Sequence, residues 1–444
     1  MEERRDRVNA PIVAGVGLRL EDLHASLRDP GLDTMNFLNE VAHRFPDAVS
    51  FAAGRPWEEF FDLDALPRYL AVFQRYLSVE KGADDRQVRR TLLQYGRTKG
   101  IIHELLARNL SLDEGIEVDP ESIVVTTGCQ EAMFLALRVL CATSDDVVLA
   151  VSPSYVGLTG AARLLDREVW PVQETENGID LDHLVAQVMA VRAAGKQPRA
   201  LYLVPDFANP SGMSLDPDTR RTLLDLAAEH DFLILEDNPY SLFHVEDSPR
   251  VPTLKALDTD RRVVYFGSLA KTCFPGARVG YAVADQLVSA GAGVRLLADE
   301  LSKVKSMLTV NTSPLAQAMA GGKLLEHGCS LEAANRAEIA VYRRNMRLLL
   351  QGLRKRFPER HSRGVRWNFP RGGFFVVVTV PFIADDAMLE HSAREHRLLW
   401  TPMSHFYAGG GGTNQLRLSI SAVTPEQIEV GLDRLLALVE EQAR

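Results

Sequence analysis

Short apolar, β-branched runs mark the middle of the chain: SIVVTT (122–127), VVLAV (147–151), ALYLV (200–204), FLILE (232–236), VVYFG (263–267) and VGYAV (279–283). None alternates with polar residues, which is the mark of a strand buried on both faces. Segments of helical period separate most of them, DTRRTLLDLAAEH (218–230) among them. Strands alternating with helices predict an α/β fold with a mostly parallel sheet. Upstream, a helical pattern runs from about residue 86 through IIHELLARNL, and residues 1–70 are irregular, punctuated by Pro30, Gly31, Gly54 and Pro56. The pattern changes near residue 326. A long charged helix is expected over 331–357, strands at FFVVVTV (374–380) and LRLSIS (416–421), and helices near 384–396 and 425–442. YAGGGGT (407–413) reads as a flexible loop. The expected division is an N-terminal segment (1–70), a large α/β domain (71–325) and a smaller α+β domain (326–444).

Composition narrows the class. The 444 residues suffice for one large core or two. Apolar residues make up 46% and charged residues 25%, an ordinary globular balance. A net charge of −9 points away from a general nucleic-acid partner. No stretch approaches the roughly 18 apolar residues of a membrane helix. The charged opening MEERRDRVNAPIV has no apolar run of signal-peptide length behind it. Cys129, Cys141, Cys273 and Cys329 are scattered, with no CxxC pair. That fits a reducing cytoplasm and argues against a disulfide framework or a metal site.

Candidate chemistry collects where strands end. GSLAKTCFPGARVGY (267–281) puts Lys271 and Arg278 on a Gly/Pro-rich loop just after a strand. ILEDNPY (234–240) puts Asp237 at the C-terminal end of a buried strand, where open α/β sheets place their ligands. VPDFANPSG (204–212) follows another strand, and its NPSG is by itself only a turn. In VVTTGCQEAMFLALRVL (124–140) a strand turns at Gly128 into a helix with the apolar face Met133, Leu137 and Leu140, and N–H groups at a helix start suit a phosphate. Each feature has a bland alternative: a solvated lysine, a capping aspartate, a small buried thiol at Cys129, an edge-strand arginine at Arg417.

Together, and in this order over residues 92–421, these stretches resemble the class I/II aminotransferases, enzymes of fold type I that use pyridoxal 5′-phosphate (PLP). The resemblance is nearest to the α-aminoadipate/kynurenine aminotransferase subgroup. The opening LDTMNFLNEV…FPDAVSFAAGRPWEEFF also looks like transaminases of the hydroxyphenylglycine/dihydroxyphenylglycine type from actinomycete antibiotic pathways. The resemblance implies a mostly parallel seven-stranded sheet with helices on both faces, plus the smaller domain. Ser268, Lys271, Pro275, Gly276, Arg278 and Gly280 match the lysine signature. Lys271 is then the amine that condenses with the PLP aldehyde, and Arg278 a phosphate donor. Ala270 stands where the family usually has a hydroxyl, which puts one phosphate contact in doubt. Asp237 would pair with the ring nitrogen, and Tyr240 and Asn209 would hydrogen-bond the ring 3-oxygen. Gly128, Cys129 and Gln130 would form the phosphate-binding turn, with Cys129 in place of a common serine or alanine. Tyr155 would lie against the ring face, and Tyr95 would reach the phosphate across a homodimer interface. Arg417 would clamp the substrate α-carboxylate, with Asn209, Gly54 and Arg55 as further substrate contacts. The aromatics of FAAGRPWEEFF (51–61) come from a segment that the family folds over the active-site entrance, which suggests an aromatic substrate; packing within the core is the bland reading.

The implied activity is transfer of an amino group between an amino acid and a 2-oxo acid. The same fold also carries PLP-dependent lyases and decarboxylating or oxidative deaminases, some acting on S-conjugated cysteine in antibiotic biosynthesis. A reading from another class is a transcription factor of the MocR type. Only about 90 residues precede the first motif, and they show no helix-turn-helix or basic patch.

Overall fold

The computed structural model describes residues 17–34, 40, 43–175, 178–245, 250–291 and 293–443. A two-residue strand, β1 (Val49–Ser50), precedes the large sheet. The sheet consists of β2 (Ile123–Thr126), β3 (Asp146–Ser152), β4 (Val169–Thr175), β5 (Gly178–Ile179), β6 (Gln197–Leu203), β7 (Leu233–Asp237), β8 (Val263–Ser268) and β9 (Gly280–Val283). Its order is β2-β9-β8-β7-β6-β3-β4-β5. The pairs from β8 through β4 are parallel, and β9 runs antiparallel to both its neighbours.

Alternate residues of β3 serve opposite faces, which is why its run is apolar throughout. Val147 and Leu149 pack with Leu184, Val188 and Leu223 of helices Leu181–Ala193 and Pro217–Glu229. Val148 and Ala150 pack with Ala132, Leu158 and Leu301 of helices Gly128–Leu140, Val156–Leu164 and Leu297–Leu308. Eight strands replace the seven expected. The addition is β5, a two-residue strand turned antiparallel onto β4. β4 itself has no continuous apolar run, because Pro171, Gln173 and Thr175 are exposed near the sheet edge.

The helical pattern upstream splits into Asp85–Leu93 and His103–Asn109. Between them Val125 of β2 donates to the Lys99 carbonyl at 2.9 Å, and Gly100 adopts φ +103°. A Cβ at Gly100 would lie 2.5 Å from Val125 Cγ2, so only glycine permits this crossing.

A hairpin, β10 (Leu287–Ala290) and β11 (Gly293–Leu296), follows the large sheet. Beyond helices Leu331–Ala334 and Arg336–Arg356, the C-terminal part contains β12 (Arg366–Trp367), β13 (Phe375–Thr379), β14 (Leu398–Leu399), β15 (Thr401–Pro402) and β16 (Gln415–Ser419). An antiparallel sheet of order β12-β13-β16-β15 carries helices Asp386–Glu395 and Pro425–Gln442. No described helix is long and apolar enough to cross a membrane.

β1 pairs in parallel with β14, Phe51 donates to the Leu399 carbonyl at 2.8 Å, and Ser419 donates to the Phe51 carbonyl at 2.7 Å. Phe51 is fully buried against Gly431, so its ring belongs to the core and not to an entrance. This anchoring delivers Ala52–Arg55 to the cleft described next. Residues 35–39 and 41 of the LDTMNFLNEV stretch lie outside the described residues.

Candidate active site

Five strand ends open onto one cleft of about 270 Å³. The chain leaving β2 brings Gly128, Cys129 and Gln130; β3 leads to Tyr155, β6 to Asn209, β7 to Asp237 and Tyr240, and β8 to Ser268 and Lys271. Arg278, Arg417, Gly54 and Arg55 complete the wall. Residues scattered from 54 to 417 in sequence are therefore adjacent in space.

Asp237 is buried and Lys271 is half-buried. Lys271 Nζ donates to the Gly54 carbonyl at 2.7 Å. Burial, with Arg417 and Arg278 nearby, pulls its amine down to about 8. The Tyr202 hydroxyl donates to Asp237 Oδ2 at 2.8 Å. Burial pushes the Asp237 carboxyl up to about 7, against the downward pull of Tyr202 and Lys271. Asp237 Oδ1 is buried without a hydrogen-bond partner. A buried acceptor left unmatched is costly, so this atom is prepared for a donor. Tyr202 was not among the sequence candidates. It is the one phenol in the otherwise aliphatic run ALYLV, and a buried phenol needs a partner.

The Gly128–Gln130 turn, expected to take a phosphate, is built by close approach. Gly128 starts its helix at φ +72°, and a Cβ there would strike the Arg278 guanidinium. Arg278 itself adopts φ +49°, uncommon for a non-glycine residue. A Cβ at Gly280 would lie 2.7 Å from Cys129 N and from Gly128 C, so β9 begins pressed against the helix start. The Cys129 thiol donates to the Gly267 carbonyl at 3.0 Å, and burial raises its pKa well above the usual thiol value. It is therefore a neutral thiol. Gln130 Nε2 donates to the Gly157 carbonyl at 3.2 Å and so tethers the turn that carries Tyr155. Ser268 Oγ accepts from Ala270 N at 3.3 Å, and Ala270 lines the cleft without a hydroxyl to offer.

Arg417 is 3% exposed. Its Nη1 donates to Asn209 Oδ1 at 2.5 Å, and its Nη2 to the Ala52 carbonyl at 3.0 Å and Thr401 Oγ1 at 3.3 Å. Phe375 and Phe406 lie 4.3 and 4.9 Å from the guanidinium carbon. Its Nε has no partner, and among the described residues no carboxylate forms a salt bridge with it. Burial pulls this guanidinium down to about 10. A buried cation without a counter-charge is unfavourable until an anion arrives. Arg55, by contrast, is half-exposed at the mouth and pairs with Glu58 at 3.1 Å. Tyr95 is 82% exposed and does not reach the cleft within one subunit.

A family model described as aminotransferase class I and II matches residues 71–435. The chain belongs to this family. The aminotransferase is 54% identical to the (S)-3,5-dihydroxyphenylglycine transaminase of Amycolatopsis orientalis, over 96% of each chain. A kynurenine aminotransferase from Pyrococcus horikoshii, solved with PMP, superposes with a TM-score of 0.77 at 27% identity, covering 92% of this chain and 95% of that one. An α-aminoadipate aminotransferase from Thermus thermophilus, complexed with N-(5′-phosphopyridoxyl)-L-leucine, gives 0.73 at 29%, covering 90% and 94%. The enzyme moves amino groups with PLP as cofactor, and the lyase and deaminase alternatives are not favoured. The cleft fits this cofactor: Asp237 Oδ1 waits for a donor, and the helix start beside Arg278 offers N–H groups to an anion.

Proposed function

We propose that this aminotransferase acts on an aromatic α-amino acid of the arylglycine class, typified by (S)-3,5-dihydroxyphenylglycine, and on the corresponding 2-oxo acid. The observation that carries this reading is the buried Arg417, which has no acidic partner among the described residues and stands in the same cleft as Lys271. Such a cation suits an α-carboxylate, and 54% identity to an arylglycine transaminase supports the choice of side chain. The apolar Met133, Val156 and Phe406 suit a ring, and the half-exposed Arg55 lies within reach of polar substituents at the mouth.

In this reading Arg278 and the N–H groups of the Gly128–Gln130 turn hold the cofactor phosphate, Asp237 the ring nitrogen, Tyr240 and Asn209 the ring hydroxyl, and Tyr155 the ring face. When bound, PLP supplies an aldehyde for the amino group and a ring that draws electrons from Cα. Lys271, with its amine near 8, would hold PLP through Nζ, and the same amine would take up the substrate Cα proton. The Gly54 carbonyl fixes its Nζ, and Arg417 orients the substrate through its carboxylate. Residues 71–325 then form the cofactor domain, 326–444 the small domain, and the described part of 1–70 a segment packing on the active site and small domain, in a cytoplasmic enzyme. The N-terminal resemblance supports a role in specialised metabolism. The active form is a homodimer. Supporting this, Tyr95 is 82% exposed, Gly96 beside it packs near Asn311 and Pro314, and Leu93, Met307, Leu308, Val310 and Leu315 are exposed.

The test is a single half-turnover. Mixing the PLP form with 3,5-dihydroxyphenylglycine, phenylalanine, 2-aminoadipate and aspartate, without a 2-oxo acid acceptor, should convert the cofactor spectrum fastest with the arylglycine. Faster conversion by aspartate or 2-aminoadipate would reject the substrate class. Light scattering should give the mass of two chains, and a fully active monomer would reject the dimer.

A further inference from the structure

Directly behind the phosphate-binding turn lies a buried ion pair that takes no part in the chemistry above. Lys305 is 0% exposed, and its Nζ lies 2.7 Å from Glu131 Oε2. Thr309 bridges the pair: Lys305 donates to its hydroxyl at 2.9 Å, and that hydroxyl donates to Glu131 Oε1 at 2.6 Å. Glu131 also reaches back along its own helix, and its Oε2 accepts from Thr127 N at 2.6 Å. That bond fixes the residue before Gly128 and leaves the N–H groups of the first helical turn for a ligand.

This arrangement raises an electrostatic conflict. A helix start attracts anions. Here an internal carboxylate already occupies that end of the helix, where it would repel an incoming phosphate dianion. Like charges at the same end of a helix oppose each other more strongly in a buried setting than in water. We propose that Lys305 is a positioning residue for the cofactor phosphate: by cancelling the charge of Glu131, it lets the carboxylate hold the Thr127–Gly128 turn without opposing the phosphate. The proposal rests on the reading that the phosphate binds at this helix start. Burial lowers the Lys305 amine from its usual value, and Glu131 pulls it back up.

The experiment strips the holoenzyme of cofactor and refills it with PLP or with pyridoxal, which lacks the phosphate. The measured quantity is the preference for PLP over pyridoxal. Lys305→Met should lower that preference on the order of tenfold, as the Coulomb energy of an unscreened buried charge implies. The double variant Glu131→Gln/Lys305→Met should recover most of the loss, because no uncompensated charge remains. An equal loss for PLP and pyridoxal, or no recovery in the double variant, would overturn the proposal, since either marks a merely structural role. If Lys305→Met does not fold, Lys305→Gln against Lys305→Arg reads the same contrast. Arg278→Met separates the two levels of the argument. If it leaves the preference intact, the phosphate does not bind here; if it abolishes the preference while Lys305→Met does not, only the role of Lys305 fails.

Discussion

Replacing Tyr202 by Phe removes one oxygen from the interior and leaves the ring in place. The Tyr202 hydroxyl donates to Asp237 Oδ2 at 2.8 Å, and the carboxyl has already been pushed up to about 7 by burial. A hydrogen bond to a charged group contributes about 1.5–3 kcal/mol. At 1.36 kcal/mol per pKa unit, its loss raises Asp237 by roughly 1–2 units, to about 8–9. At pH 7.5 the carboxylate fraction then falls from about three quarters to about a tenth, taking 8.5 as the midpoint. Only the carboxylate pairs with a protonated ring nitrogen. PLP affinity should therefore fall as pH drops through this midpoint, and in Tyr202→Phe the fall should begin 1–2 units higher. Asp237→Asn supplies the baseline, because its profile lacks this inflection. The sign on stability follows the same logic. The folded pKa of Asp237 is raised, so its stabilising contribution to the cofactor-free chain is complete below the unfolded value near 4 and is lost as pH rises through about 7. In Tyr202→Phe that loss should extend to higher pH. An unmoved inflection in the PLP profile would refute the claim that Tyr202 sets the charge of Asp237.

Arg417→Lys should reduce kcat/KM for the amino acid about 10- to 150-fold, corresponding to a charged hydrogen bond of 1.5–3 kcal/mol, while PLP occupancy stays unchanged. Steady-state kinetics and cofactor absorbance check the two halves separately. Gly280→Ala places a methyl group 2.7 Å from the Cys129 and Gly128 backbone. The purified variant should therefore have lost most of its PLP, and full occupancy would show that the turn tolerates displacement. Glu174, held up to about 8 by burial with Ser211 donating at 2.7 Å, is stabilising only while protonated. Glu174→Gln should gain melting temperature relative to the parent progressively as pH rises from the usual carboxyl value of 4.5 to about 8, with no further gain above that; a pH-independent difference contradicts this.

Much of this enzyme was legible before any coordinates. Runs such as VVLAV announce strands buried on both faces because no polar residue interrupts them, and β3 indeed packs helices on each side. Resemblance to the family motifs picked out Lys271, Asp237, Asn209 and Arg278, and the strand ends that precede the first three share one edge of the sheet. Other features required the tertiary structure. β4 escaped notice because a strand near the sheet edge is half wetted and its apolar pattern is broken. The break at Gly96–Gly100 was hidden because helical periodicity continues on both sides of a turn that exists only to cross β2. Tyr202 looked like one more core residue, and its role depends on a partner 35 positions away. Glu131 and Lys305, 174 positions apart, carry no local signal that they pair. Sequence encodes local periodicity and short spacings directly. Which charge faces which in the interior is decided by how the layers close on one another, and the pKa values of Lys271 and Asp237 follow from that closure.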